Sequence, residues 1–98
     1  MAMRKTTRKT AKKLVTEMYG GEPYEYYPLG KYIVAAPGVC GGRPTFKYTR
    51  VEPSVVLKFI AAGRTIDEIV ENHRGRIPHA AVEEALRLAA RYFDREAE

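Results

Sequence analysis

The chain has very little cysteine and no long apolar segment. Cys40 is the only cysteine among 98 residues, which excludes an internal disulfide and suits a reducing compartment. No apolar run approaches the roughly 18 residues that span a bilayer. The charged amino terminus is not followed by the apolar stretch of a secretory signal. We therefore expect a cytoplasmic protein that does not cross a membrane.

Residue types that carry catalysis or hold metals are also scarce. The two histidines, His73 and His79, do not have zinc-site spacing with Cys40. Ser54 is the only serine and lies at a predicted helix start. The glycine-rich loop 37–42 matches neither a P-loop nor the dinucleotide fingerprint. These observations predict a binding protein rather than an enzyme, without a metal or another cofactor.

Positive charge is concentrated in the first half of the chain. Residues 1–50 hold ten Lys or Arg and three Glu, whereas residues 51–98 hold seven Lys or Arg and nine Asp or Glu. Six basic residues precede the first acidic one: Arg4, Lys5, Arg8, Lys9, Lys12 and Lys13. Such a cluster attracts phosphates or an acidic protein cleft. The alternative is a solubilising tail.

Residues 1–30 are predicted to form a basic arm followed by a tyrosine-rich segment. Apolar residues recur at helical spacing in the arm, namely Ala11, Leu14, Val15 and Met18. This spacing predicts a helix over residues 6–19 that ends at Gly20-Gly21 and is marginal in isolation. Four tyrosines between residues 22 and 32 favour a strand, with a turn or a sheet edge near Pro28 and Gly30.

Residues 31–98 are predicted to form one domain that begins with a β-hairpin. Residues 32–36 and 45–48 have strand character and are joined by the loop 37–42. An isolated hairpin is unstable in water. It must therefore pack on the helices that follow or pair with a second copy.

Three helices follow the hairpin. Pro53 suits a first helical turn and Gly63 a helix end. Thr65 and Glu68 have the spacing of a capping box, and Pro78 opens a third helix that continues to the carboxyl end. On that helix, Glu83-Glu84 is interpreted as part of a solvated face on which Glu83 pairs with Arg87. The pattern predicts a mainly α fold, a helix-turn-helix-like bundle behind a short hairpin and a basic helical arm.

Residues 33–93 resemble the domain-of-unknown-function family 433. The resemblance is carried by Gly42-Arg43-Pro44, Thr49-Arg50-Val51, Leu57, Ala61-Ala62-Gly63, Ile66-Asp67-Glu68-Ile69, Val82 and Ala85-Leu86. The family pattern has a glycine directly before the Thr-Arg pair, where this chain has Tyr48. The resemblance implies a homeodomain-like bundle. It also implies an antitoxin, because several members are regarded as antitoxins that accompany ribonuclease toxins with a PIN-type fold.

Five residues are predicted to contact nucleic acid: Lys47, Arg50, Arg74, Arg76 and His79. Arg74, Arg76 and His79 lie at or just before the start of the third helix, where helix-turn-helix proteins contact DNA. The exposed face of that helix is of mixed charge, which weakens the case for direct base readout. DNA could instead be bound by the basic arms of a dimer. Arg50 has an architectural alternative, because it lies beside a helix start.

The sequence thus favours an antitoxin-like protein that binds a ribonuclease-like toxin and also binds its own operator DNA. The six basic residues of the arm are the predicted partner contacts, since PIN-type nucleases hold metal with carboxylates that a cation could neutralise. The hairpin edges and the apolar pair Tyr92 and Phe93 favour a homodimer. Two alternatives remain, a stand-alone nucleic-acid-binding regulator and a structural adaptor.

Overall fold

Four strands and three helices make up the fold in the computed structural model, which describes residues 13–96. In chain order they are β1 (Val15–Tyr19), β2 (Glu22–Pro28), β3 (Ile33–Ala35), β4 (Pro44–Phe46), α1 (Pro53–Ala61), α2 (Ile66–Asn72) and α3 (His79–Glu96). The strands form one antiparallel sheet in the order β1-β2-β3-β4. The predicted mainly α class is therefore wrong. The fold is α+β, because the sheet is twice as large as the predicted hairpin.

The helix predicted over residues 6–19 is wrong over its described part. Val15–Tyr19 is strand β1, paired with β2 from Val15 opposite Tyr26 to Tyr19 opposite Glu22. Gly20 and Gly21 have φ angles of 63° and 83°. Two consecutive positive φ angles make a two-residue primed turn, whose twist matches that of the strands it joins. Gly20-Gly21 therefore turns a hairpin instead of ending a helix.

The predicted hairpin over residues 32–48 is confirmed as β3 and β4, with shorter strands. Ile33 lies opposite Phe46, and Val34 lies opposite Thr45. Side chains alternate across a strand, so Ile33 and Phe46 face the helices. There they join the main core cluster, whose other buried members are Val56, Ile69, Ile77, Ala81, Val82 and Ala85.

The other face of β3 is buried by the first hairpin. Val34 is buried there in a second cluster with Tyr26 and Ala36. Val15 of β1 and Tyr24 of β2 pack against this cluster. The β1–β2 hairpin thus covers apolar surface that the three helices cannot reach.

The three predicted helices are confirmed. Pro53 occupies the first turn of α1. Thr65 caps α2 with both hydrogen bonds of a capping box, since Glu68 N donates to Thr65 Oγ1 at 3.1 Å and Thr65 N donates to Glu68 Oε1 at 2.9 Å. The turn before α3 contains Arg74 and Gly75, both at positive φ. None of the helices described over residues 13–96 is long and apolar enough to cross a membrane.

Glu84 joins α3 to the sheet, which corrects the interpretation of Glu83-Glu84 as a solvated face. The Glu84 carboxylate accepts hydrogen bonds from the backbone N–H groups of Lys31 at 2.7 Å, Tyr32 at 2.7 Å and Ile33 at 3.1 Å. Within residues 13–95, Glu83 pairs with His79 at 3.3 Å instead of with Arg87. Glu84 therefore holds the turn between β2 and β3 against α3.

A candidate basic groove lined with tyrosines

The segment between β4 and α1 is a tight loop closed by Thr49. Phe46 N donates to Val51 O at 2.9 Å, and Thr49 N and Oγ1 donate to Phe46 O at 3.0 and 2.8 Å. Val51 N donates in turn to Thr49 Oγ1 at 3.0 Å. Tyr48 has φ 68° at this bend, a left-handed conformation that residues other than glycine seldom adopt. The loop fixes the directions in which Tyr48 and Arg50 leave the backbone.

Glu17 of β1 binds three side chains, of which those of Lys47 and Tyr48 belong to this loop. Its carboxylate accepts hydrogen bonds from the hydroxyls of Tyr26 and Tyr48, both at 2.6 Å, and from Lys47 Nζ at 3.1 Å. These bonds favour the ionised carboxylate and lower the pKa of Glu17 to about 2. The hydrogen bond that the Tyr48 hydroxyl donates to Glu17 raises the pKa of that hydroxyl. This polar cluster joins the β1–β2 hairpin to the β4–α1 loop.

Lys47 belongs to this polar cluster and is only partly exposed. Its Nζ lies 4.7 Å from the ring centroid of Tyr26 and 5.1 Å from that of Tyr48, distances at which a cation is attracted to an aromatic ring. The Lys47 side chain retains 23% of its exposure. The ion pair with Glu17 already neutralises the charge of Lys47.

Three tyrosine rings gather beside the polar cluster. Tyr19 stacks on Tyr48 with ring centroids 4.3 Å apart and planes inclined by 12°. Tyr24 lies 5.2 Å from Tyr48, and its hydroxyl oxygen accepts a hydrogen bond from Tyr48 N at 3.0 Å. The residues Tyr19 and Tyr48 remain 53% and 40% exposed to solvent. The result is an aromatic surface, held in place and open to solvent.

Arg50, Arg74 and Arg76 line a groove of about 660 Å³ together with these three tyrosines. All three arginines are exposed. Within residues 13–95, no carboxylate oxygen lies within 4.0 Å of their guanidinium groups. We call this surface the basic groove. It combines uncompensated positive charge with exposed aromatic faces, a pairing suited to phosphate and to planar ring systems.

The family of the chain follows from a match to a family model. The model of the family described as protein of unknown function (DUF433) matches residues 33–89. The chain belongs to the DUF433 family. No curated protein and no solved structure matches the chain. The DUF433 match begins at β3, so β1 and β2, with Glu17, Tyr19 and Tyr24, lie outside it.

Tyr48 has a backbone conformation that suits glycine. Glycine tolerates a positive φ because it has no Cβ, whereas Tyr48 adopts φ 68° with a full side chain. That side chain is held by Glu17 and Tyr19, both in the hairpin outside the DUF433 match. The left-handed backbone and the hairpin outside the match thus meet at one residue.

The structure brings three of the five predicted nucleic-acid contacts together in the basic groove. Lys47 is instead bound to Glu17. His79 lies outside the groove lining and faces Asp67 at 4.0 Å and Glu83 at 3.3 Å. Lys13 is exposed before β1. The other predicted partner contacts lie outside the described residues: Arg4, Lys5, Arg8, Lys9 and Lys12.

Sequence reasoning missed the tyrosines of the groove. Tyr24 and Tyr26 are two residues apart, so a strand places them on one face of the sheet. That spacing was the sequence signal that tyrosines share one face of the sheet. Tyr19 was assigned to a helix, which concealed its place beside Tyr48. Among residues 13–96, no group of three His, Cys, Asp or Glu residues is arranged to hold a metal ion.

A second groove, of about 580 Å³, lies between α1, α3 and the sheet. We call it the apolar groove. It shares no lining residue with the basic groove, and its lining is Leu29, Ile33, Pro44, Pro53, Leu57, Ala85, Leu88, Ala89, Arg91, Tyr92 and Arg95. Tyr92 is 51% exposed, and Phe93, which contacts its ring edge to face, is 68% exposed. Tyr92 and Phe93 thus leave aromatic surface exposed at the apolar groove and next to it.

Proposed function

We propose that this DUF433 protein is antitoxin-like, binding and neutralising a PIN-type ribonuclease toxin and also binding nucleic acid of its own operon. The observation that carries the proposal is the presence of two separate grooves of different chemistry. An antitoxin that also regulates its operon needs one surface for a protein and another for nucleic acid. Each groove offers one of these chemistries.

The apolar groove is the proposed toxin surface. Aromatic residues and arginine are enriched where protein interfaces are most deeply buried, and this groove holds Tyr92 with Arg91 and Arg95. The two arginines favour a partner segment with an apolar face and acidic flanks. A homodimer could use the same surface. The basic arm, including Lys13, remains a predicted second contact to the carboxylates of the toxin.

The basic groove is the proposed nucleic-acid surface. Arg74 and Arg76 lie in the turn before α3, and Arg50 lies in the β4–α1 loop. This is the end of the helix that helix-turn-helix proteins direct at DNA. His79, in the first turn of α3, faces Asp67 and Glu83. Contacts to the phosphate backbone therefore fit this surface better than base readout does.

The test is purification of the tagged protein from its native host after nuclease treatment, followed by mass spectrometry of stoichiometric partners. We expect a small acidic ribonuclease-like protein in near-equal amount. We expect Tyr92→Ser to release it, because Tyr92 lines the apolar groove and its ring would be lost from the interface. The matched control is Arg74→Glu, which should abolish nucleic-acid binding and leave the toxin bound. A toxin that remains bound to the Phe93→Ser and Tyr92→Ser variants would contradict the assignment of this surface.

A stand-alone nucleic-acid-binding regulator is the second candidate. Arg50, Arg74 and Arg76, which form no ion pair with a carboxylate of residues 13–95, favour it, since their surface needs no toxin for its function. Recovery of the protein alone, as a dimer that binds nucleic acid, would support this alternative. Recovery with the ribonuclease would exclude it.

A further inference from the structure

We infer that the ligand of the basic groove is single-stranded nucleic acid, whose bases stack on the tyrosines while its phosphates meet the arginines. The inference rests on the proposed nucleic-acid function of this groove and names the ligand class. It also assigns a role to the β1–β2 hairpin, which lies outside the DUF433 match.

The aromatic wall of the groove presents ring faces. Tyr19 and Tyr48 are stacked in parallel at 4.3 Å and both remain exposed. Lys47 Nζ lies over the Tyr48 ring, and Tyr19 is the more exposed ring of the pair, so we assign the stacking of a base to Tyr19. In a duplex the faces of each base are covered by its neighbours, whereas the bases of a single strand are available to aromatic side chains.

Two of the three rings, those of Tyr24 and Tyr48, are fixed in advance by hydrogen bonds. Tyr48 donates its hydroxyl proton to Glu17, and Tyr24 accepts a hydrogen bond from Tyr48 N. These polar atoms are therefore satisfied within the fold. Binding a base would require little reordering of the wall, which lowers the entropic cost of binding.

The arginines of the groove come from segments other than the hairpin that supplies Tyr19 and Tyr24. Arg50 comes from the β4–α1 loop, and Arg74 and Arg76 come from the turn before α3, while Tyr19 and Tyr24 come from the first hairpin. A strand in the groove could thus place phosphates on the arginines and bases on the tyrosines. Proteins that bind single strands without strong sequence preference combine the same two features.

A duplex is a poorer fit to the region around α3. The first turn of α3 carries His79, which faces Asp67 and Glu83. Glu83 is itself exposed on that helix. Carboxylates at this position repel the phosphates that flank a major groove. The arginines next to this turn, Arg74 and Arg76, instead lie in the groove with the tyrosines.

The experiment measures fluorescence anisotropy of the full chain with labelled 12-nucleotide RNA and DNA single strands and with the matching duplexes. We expect the single strands to bind at least about tenfold more tightly than the duplexes. Tyr19→Leu should weaken single-strand binding by roughly 5- to 100-fold, the range that corresponds to the loss of one stacked base. Tyr27→Leu is the matched control, because Tyr27 is exposed on β2 and does not line the groove. It should leave binding unchanged.

The outcomes separate this inference from the proposed function. Duplex binding that equals or exceeds single-strand binding, with no effect of Tyr19→Leu, would overturn the single-strand inference and leave an operator-binding protein. The absence of any nucleic-acid binding would overturn both assignments of the groove, while toxin capture is measured independently. Loss of the toxin in Arg74→Glu, with oligonucleotide binding retained, would make the groove a protein site and overturn the inference. Circular dichroism and thermal melting of each variant check that the fold is intact.

Discussion

Tyr48 combines an unfavourable backbone conformation with several side-chain contacts. Its φ of 68° is left-handed, which costs a residue with a Cβ on the order of 1 kcal/mol or more. Its hydroxyl reaches Glu17, its N–H reaches Tyr24, and its ring stacks on Tyr19. The contacts hold the side chain at a position whose backbone conformation suits glycine.

Substitution of Tyr48 should separate backbone strain from side-chain contacts. Tyr48→Ala loses the ring and keeps the strained backbone, whereas Tyr48→Gly loses the ring and relieves the strain. We expect the glycine variant to be more stable than the alanine variant by about 1 kcal/mol in urea denaturation. Equal stability of the two variants would show that the left-handed backbone carries no strain at this position.

Glu17 should make stability depend on pH in the acid range. The fold lowers its pKa from 4.5 to about 2, so the folded state favours the ionised carboxylate. This contribution is fully present above pH 4.5 and is lost as the pH falls towards 2. We expect Glu17→Gln to melt at a lower temperature than the wild type at pH 7. The difference should shrink between pH 4.5 and 2. A difference that is constant across that range would contradict the assignment.

The β1–β2 hairpin is the element that distinguishes this chain from the matched DUF433 region. It covers Val34 and Ala36 on one face of the sheet and contributes Tyr19 and Tyr24 to the basic groove. The turn that follows β2 is held against α3 by Glu84, which accepts three backbone hydrogen bonds from residues 31–33. The hairpin thus contributes side chains both to a buried cluster and to the basic groove.

Glu84 and its neighbour Glu83 offer a matched comparison on α3. Glu84→Ala removes the acceptor of three backbone N–H groups, and hydrogen bonds to a charged group are worth about 1.5–3 kcal/mol. We expect a destabilisation on the order of 2 kcal/mol in chemical denaturation. Glu83→Ala changes an exposed side chain and should alter stability by less than about 0.5 kcal/mol. Similar losses in both variants would show that Glu84 does not anchor the turn.

At the scale of the whole molecule, the salt dependence of the two grooves should respond differently to Arg74→Ala. The arginines of the basic groove act by displacing counterions from phosphates, which gives a slope of about −0.7 per phosphate contact for single strands. Three such contacts predict a slope of about −2 in a plot of log K against log salt, reduced by about 0.7 in Arg74→Ala. Toxin binding should also weaken with salt, because Arg91, Arg95 and the basic arm are proposed to meet acidic groups of the toxin, but Arg74→Ala should leave that dependence unchanged. A salt slope for toxin binding that Arg74→Ala also reduces would indicate that both ligands use one charged surface.

The helices could be predicted because their signals are local. Pro53, Gly63 and the Thr65–Glu68 capping box each act within one turn of the chain, and all appear where the sequence places them. Strand β1 could not be predicted in the same way. The apolar residues around Val15 also fit helical spacing. The outcome depends on pairing with Tyr26 and on covering Val34, which lies nineteen positions beyond Val15.

The sequence alone predicted the three helices and the β3–β4 hairpin. It also identified Arg50, Arg74 and Arg76 as individual exposed cations. Only the tertiary structure placed those arginines in one groove with Tyr19, Tyr24 and Tyr48. It also bound Lys47 to Glu17, which removed one predicted contact from the site. The physical reason is the same in each case. A helix cap or a turn depends on neighbouring residues, whereas a groove depends on how distant segments pack, and local patterns do not encode that packing.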